Sequence, residues 1–352
     1  MTTRERITRM YEHREADRVP IVDSPWRGTV ARWRREGMPE GAAWEDYFGA
    51  DKIASVGMDV SPRFEHKVLE ENERWRIVKT NWGVTKRDFK ELDATPEFMD
   101  FTFTTPEAWQ GAKARMNDLE GRINWEALAR DYPKWRAEGR WITWNFFFGF
   151  DVTHGNVTGI EPLLMAMLEE PEWVTDIFET ELTNSIALFE RVWDAGYRPD
   201  EMMWYDDMGY KGTTFFSPAL YRQLVQPFHK RAVDWAHNRG IVARLHSCGD
   251  VRTLLPDILA TGVDALNPLE AKAGMDALQI KQEYGGRLVL HGGVNAVLWS
   301  DKERIIAEIE RLVPRLKENG GYIFASDHSI PNSVSLENFK AIIETVKRCG
   351  GY

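Results

Sequence analysis

Two rhythms of apolar residues alternate along the chain. Short runs rich in β-branched and aromatic residues recur eight times, at 18–23 (RVPIVD), 52–58 (KIASVGM), 141–148 (WITWNFFF), 201–207 (EMMWYDD), 241–247 (IVARLHS), 263–268 (VDALNP), 287–293 (RLVLHGG) and 321–327 (GYIFASD). Near-continuous apolar runs of this length read as strands buried on both faces. Between them the period lengthens to that of a helix: Ile305, Ile306, Ile309, Val313 and Leu316 share one face until Gly320-Gly321 stops it. Ser300 with Glu303 predicts a capping box at the start of that helix, and Thr2 with Glu5 predicts another at the N-terminus. Ser217-Pro218 opens a helix predicted to run through Trp235 and to close at Gly240, with Pro227 and Pro314 as local interruptions.

Strands spaced by helices predict βαβ units, and eight of them predict an α/β fold of the (β/α)8 TIM-barrel type over an open sheet. The stretch 60–140 is too long for one connection. Within it ERWRIVKTNWGVTKRDF (73–89) predicts a hairpin followed by helical segments, so the stretch is read as an insertion between the second and third strands that caps one barrel face. Neither a tandem repeat nor a Gly/Ser-rich linker breaks the chain, which predicts a single domain over 1–352.

Charge narrows the range of partners. The 352 residues carry 45 Lys+Arg against 55 Asp+Glu, a net charge of −10, so no basic excess is available for a phosphate backbone and nucleic acid is not an expected partner. No apolar run of about 18 residues predicts a membrane span, and the charged opening MTTRERITRMYEHREADRVP lacks a leader's apolar core. With only Cys248 and Cys349, no disulfide framework is expected and a cytoplasmic location is predicted. The 15 Trp, 17 Phe and 10 Tyr suit either a heavy core or the walls of a cavity for a flat ligand.

In a barrel enzyme the reacting groups sit at the C-terminal ends of the strands. Those positions hold Asp23, Asp59, Asn145, Asp206-Asp207, His246 with Cys248, Asn267 with Glu270, His291 with Asn295, and Asp327-His328. The sharpest group is HSCGD (246–250): an imidazole and a thiolate two residues apart suit Zn(II), with His328 as the expected third ligand and Glu270 or Asp327 as substitutes. Three protein ligands leave a position open for substrate. The same pair also suits a packed cysteine beside a core histidine bonded to backbone. Asp206 and Asp207 suit acid–base work, ligand orientation or a helix cap. His291 suits substrate contact or support of the Gly292-Gly293 turn, which could cradle an anion; Arg27 and Arg32 suit a substrate carboxylate or surface ion pairs. The chain contains no G-x-S-x-G, Walker loop or G-x-G-x-x-G after a strand.

Five blocks, RERITRMYEHREADRVPIV at the start, DDMGYKGTTFFSPALYRQLVQPF (206–228), HSCGDVRTLLPDILATGVDALNPLE (246–270), AGMDALQIKQEYGGRLVLHGGVN (273–295) and HSIPNSVSLENFKAIIE (328–344), together resemble the uroporphyrinogen decarboxylase superfamily over essentially the whole chain. Within it the likeness is to the zinc-dependent, cobalamin-linked methyltransferases. The resemblance implies a barrel with its site at the C-terminal mouth, zinc on His246 and Cys248, and a third ligand at the position of His328, where those methyltransferases carry Cys. It implies methyl transfer between a methyl-corrinoid, methylcobalamin or a relative carried by a corrinoid protein, and a small-molecule acceptor such as a thiol or tetrahydrofolate. Asp207, Glu270 and Asp59 are then the expected catalytic groups, with Arg27, Asn145, Asp206, His291 and Asn295 expected to bind substrate. A metal-free decarboxylase using Asp59, His328 and Arg27 is the first alternative. Against it, the arginines of the first loop are five apart rather than four, and Gly155 stands where that family has tyrosine. A corrinoid- or tetrapyrrole-binding accessory protein without chemistry is the second.

Overall fold

The computed structural model describes residues 1–90 and 95–352. Among these described residues thirteen strands form three sheets. β1 (Ile53–Gly57), β6 (Trp141–Phe146), β7 (Glu201–Tyr205), β10 (Val242–His246), β11 (Ala265–Asn267), β12 (Val289–His291) and β13 (Tyr322–Ile323) make one curled, all-parallel sheet in that order. β2 (Lys67–Glu71), β3 (Trp75–Lys79), β4 (Thr85–Phe89) and β5 (Glu97–Asp100) form an antiparallel sheet, and β8 (Gly209–Tyr210) pairs with β9 (Thr213–Thr214).

All eight predicted strand segments take their places in the barrel, but the first is reduced to bridges. Ile21 pairs in parallel with Phe324, the Val22 amide donates to the Phe324 carbonyl, and the Asp51 amide donates to the Ile21 carbonyl just before β1. Arg18-Val19-Pro20 cannot form a full ladder, because Pro20 has no N–H to give. Residues 19–22 nonetheless join the last strand to β1 and complete the ring. Asp51 holds this seam: its carboxylate accepts from the Ile21 amide at 2.8 Å and pairs with Arg18 at 2.7 Å and with Arg6.

The layer of side chains at the foot of the barrel is polar. Arg244 on β10 makes a bidentate pair with Glu201 on β7 at 2.8 and 3.0 Å, and Glu201 also accepts from Tyr11 at 2.5 Å and Thr143 at 2.8 Å. Around the ring, Trp144, Phe146, Phe148 and Trp204 are buried against the long helix Pro171–Asp194 and helix Gln226–His237, with Trp144 and Phe146 stacked on Phe189. These aromatics fill the core and do not wall a ligand cavity.

Helix starts follow the expected chemistry with one shift. Thr2 and Glu5 form the reciprocal capping box. Helix Lys302–Leu316 is capped by Asp301, whose carboxylate accepts from the Arg304 amide, so the Ser300–Glu303 box is displaced by the neighbouring acid. Ser217 caps a helical stretch that runs as Pro218–Leu220, a π-turn Tyr221–Val225 and then Gln226–His237, the π-turn falling just before Pro227. Pro314 lies in the last turn of its helix.

In the long stretch before β6, the predicted hairpin is β3–β4, with Trp75 opposite Phe89. Its flanking strands β2 and β5 were not expected. Among the described residues of this stretch, the sheet and its turns reach the barrel mouth, through Trp82, Lys86 and Phe98. Helices Pro106–Met116 and Trp125–Ala137 lie on the flank, tied to helix Pro171–Asp194 through Trp109–Asp176 at 2.9 Å and to Asp200 through Arg136 at 2.7 Å. Among the described residues no helix is long and apolar enough to cross a membrane.

Candidate active site

Asp207, His246 and Cys248 converge at the mouth, with one donor atom from each lying within 4.8 Å of the others. His246 ends β10, Cys248 follows in the next turn, and Asp207 follows β7, the neighbour of β10. Two glycines let the loops meet. A Cβ on Gly209 would lie 2.5 Å from the Cys248 carbonyl oxygen, and one on Gly249 only 2.1 Å from the Gly209 carbonyl carbon. Gly249 also takes φ +78, in the left-handed region. Backbone bonds from Gly209 N to Cys248 O at 3.1 Å and from Asp250 N to Tyr210 O at 2.9 Å lock the contact. The Cys248 amide then donates to Asp207 at 2.8 Å, and the Gly249 amide donates to Glu270 at 2.6 Å.

His246 Nε2 lies 3.4 Å from Cys248 Sγ and 3.6 Å from Asp207 Oδ1. Tetrahedral zinc, with Zn–S about 2.3 Å and Zn–N or Zn–O about 2.0–2.2 Å, places such atom pairs about 3.3–3.5 Å apart. The nitrogen, sulfur and oxygen donors therefore fit a zinc ion in both chemistry and spacing. Electrostatics point the same way. Burial, then the carboxylates of Asp207 and Glu270, push the Cys248 thiol well up. Burial and the adjacent Asp151 raise Asp207 to about 7, while burial lowers His246 to about 4. A cation at the centre would offset the crowding of carboxylates that disfavours the thiolate.

The third member of this group is Asp207, where His328 was expected. His328 is not part of that group, although it lines the inner wall of the mouth with all three members, and its ring stacks 6.4 Å from Trp26. Asp327 is fully buried and spent on the amides of Ala296 (2.7 Å) and Lys272 (3.3 Å).

Two cavities meet at the cluster. The outer one, about 910 Å³, is bounded by Trp82 and Phe98 of the insertion, by Asp151 and His154, and by Tyr210 and Phe215. The inner one, about 670 Å³, descends into the barrel past Tyr205, Asn267 and His291 towards Arg244, and His328 and Asp23 also line it. Asp207 and Cys248 line both. Glu270 lines the outer one, where Lys272 stands 3.2 Å from it.

Other expectations part company with the structure. Asp59 lines neither cavity: it accepts from Ser61 at 2.6 Å and Arg63 at 2.8 Å, and although burial opposes its ionisation these bonds hold it below the usual carboxylate range. Arg27 is exposed at the first turn of helix Arg27–Arg35 and lines neither cavity, and Arg32 is tied to Glu36 and to the carbonyls of Asn332 and Ser333. Asp206 is fully buried, bonded to His229 at 2.7 Å and to the Asp151 amide at 2.8 Å, so it anchors the loop and cannot touch substrate. Asn295 caps the short turn Ala296–Leu298. Asn145 on β6 keeps a buried oxygen without a partner and lies outside both cavities. Gly292 and Gly293 spend their amides on Ile323 and Pro268 carbonyls and cradle no anion. His291 does face the inner cavity, its Nε2–H donating to the Val22 carbonyl at 3.1 Å; burial lowers it to about 3 and keeps the ring neutral.

Sequence reasoning missed Asp151, in the short helix Phe150–Thr153, and His154, 3.3 Å from it at the start of the π-turn His154–Thr158. The same strand-end rule that picked Asn145 would have reached them with a window six residues longer. It also missed Trp82 and Phe98, which no strand-end rule could find.

The profile of the family described as uroporphyrinogen decarboxylase (URO-D) matches residues 151–349, more than half the chain, including Asp207, His246, Cys248, Glu270 and His328. The chain belongs to the uroporphyrinogen decarboxylase family. Among curated family relatives, uroporphyrinogen decarboxylase of Chloroherpeton thalassium is 26% identical over 136 residues, 37% of this chain and 38% of that protein. The enzyme of the same name from Chlorobium phaeovibrioides is 32% identical over 102 residues, 28% of each chain. The matched stretches thus span well under half of these relatives. Among solved structures, a methyltransferase from Methanosarcina mazei superposes with a TM-score of 0.65 at 17% identity, covering 99% of both chains. That likeness establishes the shared barrel fold from end to end.

Proposed function

We propose that the protein transfers a methyl group between a methyl-corrinoid carried by a partner protein and a small acceptor such as a thiol or tetrahydrofolate. The observation that carries this reading is the place of Cys248 and Asp207 on the shared wall of two cavities. A transfer between two substrates needs two approaches that meet at one centre. The outer cavity, open and rimmed by exposed Phe98, Ile160 and Tyr210, suits the flat apolar face of a corrinoid. The smaller inner one suits the small molecule.

Asp207, His246 and Cys248 would hold zinc, which when bound stabilises an acceptor thiol as thiolate near neutral pH. Glu270, tied to the Gly249 amide at 2.6 Å beside Cys248, would take the thiol proton where the two cavities meet, with Lys272 steadying its charge. The acceptor sulfur then forms the bond to the methyl carbon as the cobalt–carbon bond breaks, and that bond's electron pair stays with cobalt. Tyr205 packs its ring 4.6 Å from that of His246 and would help to hold the imidazole in place.

The decarboxylase reading has less support. Two of the groups it relies on, Asp59 and Arg27, share no cavity with His328. The test is turnover of methylcobalamin with a panel of thiols and tetrahydrofolate, followed by the cobalamin absorbance. Activity lost in His246→Ala and Cys248→Ala is the expected result. Full-rate decarboxylation of uroporphyrinogen by metal-stripped protein would overturn the proposal, and corrinoid binding without turnover on any acceptor would favour an accessory role.

A further inference from the structure

A neutral histidine binds a cation through whichever ring nitrogen lacks the proton, so a ligand that uses Nε2 must carry its proton on Nδ1. The structure shows what decides this for His246. Asn267 is its register partner on the adjacent parallel strand β11, and both side chains line the inner cavity. Asn267 Nδ2 lies 3.1 Å from the main-chain carbonyl oxygen of His291, on the next strand. A carbonyl oxygen only accepts, so the amide must present its NH2 there and its Oδ1 to the other side. That oxygen lies 2.5 Å from His246 Nδ1. It too only accepts, so Nδ1 must donate. The proton is thereby confined to Nδ1, and the Nε2 lone pair faces Cys248 and Asp207. Turning the amide over would set two acceptors against each other at His291 and would move the imidazole proton to Nε2, blocking the ligand position.

We infer that Asn267 is a positioning residue that fixes the tautomer and ring orientation of His246, taking its own orientation from the His291 carbonyl. Its significance for metal binding rests on the zinc reading proposed above; the tautomer does not. Partners of this kind behind a metal-bound histidine typically change affinity 10–100-fold when removed.

The test has two readouts. Metal-free protein labelled with 15N-histidine reports by two-bond proton–nitrogen NMR which nitrogen of His246 is unprotonated, and zinc titration against a competing chelator gives the affinity. The expected results are an unprotonated Nε2 in the wild type, a mixed or inverted tautomer in Asn267→Leu, and zinc binding about 10–100-fold weaker in that variant. Asn267→Asp still offers His246 an acceptor but sets its second oxygen against the His291 carbonyl; it should keep the Nδ1–H tautomer with a zinc affinity between those of the wild type and Asn267→Leu, and serves as the reporter if Asn267→Leu does not fold. A proton on Nε2 in the wild type, or an unchanged tautomer and affinity in Asn267→Leu, would overturn the inference. The predicted tautomer in a wild type that takes up no zinc would uphold the role of Asn267 and refute the metal reading instead.

Discussion

Gly209→Ala probes the contact that brings Asp207 to Cys248. The new methyl carbon would stand 2.5 Å from the Cys248 carbonyl oxygen, 2.6 Å from the Gly249 carbonyl carbon and 2.7 Å from the Asp250 nitrogen. Ordinary contacts of this kind lie near about 3.5 Å, so the two loops must separate by roughly 0.8–1 Å. All three obstacles are backbone atoms, and no side chain can swing aside. Overpacking of this size costs about 1–3 kcal/mol. For a chain of 352 residues, at about 2.1 cal/mol/K of unfolding entropy per residue, this lowers the melting temperature by about 1.5–4 °C. The effect on metal binding is the larger one, because a shift of about 1 Å is near half a zinc–ligand bond length. Gly209→Ala should therefore weaken zinc binding at least as much as a lost supporting hydrogen bond, about 10–100-fold. Gly212→Ala is the control: its φ of +76 strains an alanine by about 1–2 kcal/mol, but no atom lies within 4 Å of the added carbon, so zinc binding should not change. Thermal unfolding and chelator-competition titration read both variants. Wild-type zinc affinity in Gly209→Ala, or equal weakening in Gly212→Ala, would refute the argument.

Three further outcomes follow from named residues. Burial raises Asp23 to about 6 despite hydrogen bonds from Ser326 and Ser24. The fold therefore favours its protonated form, and its contribution to stability, present below the ordinary carboxylate range, is lost as pH rises through 6; the destabilisation caused by Asp23→Asn, followed by urea unfolding, should shrink from pH 4 to pH 7. Glu201→Gln strands the buried Arg244 guanidinium and should cost about 3–5 kcal/mol, whereas replacing both partners by apolar residues should cost less, which a double-mutant cycle in urea measures. Asp59→Asn, which loosens only the pairing with Arg63, should leave zinc content and turnover at wild-type levels, and a loss of either would return Asp59 to the site.

The barrel was legible because apolar run length and helix spacing are local properties repeated eight times. What could not be read was the first strand's reduction to bridges, since Pro20 and the rival claims of Asp51 on the Ile21 backbone are settled only by tertiary contacts. At the site, His246 and Cys248 were readable because both sit on one strand end. Asp207 was picked as a catalytic group but not as the third member of the His246–Cys248 group, because its approach depends on backbone contact between Gly209 and Gly249, forty residues apart in sequence. Asp206 shows the converse limit. Two adjacent carboxylates look alike in sequence, yet neighbouring residues of an extended chain point opposite ways, one to His229 in the core and one to the cavities. The aromatic content divided along the same line: β6 and Trp204 serve the core, while the cavity takes Trp82, Phe98 and Phe215 from loops and the added sheet.

The most direct test of the metal centre is elemental analysis of the purified protein beside its His246→Ala, Cys248→Ala and Asp207→Ala variants. One zinc per chain in the wild type, lost in the first two variants and weakened in the third, is the predicted result. Zinc at background in the wild type, or full occupancy in Cys248→Ala, would contradict it.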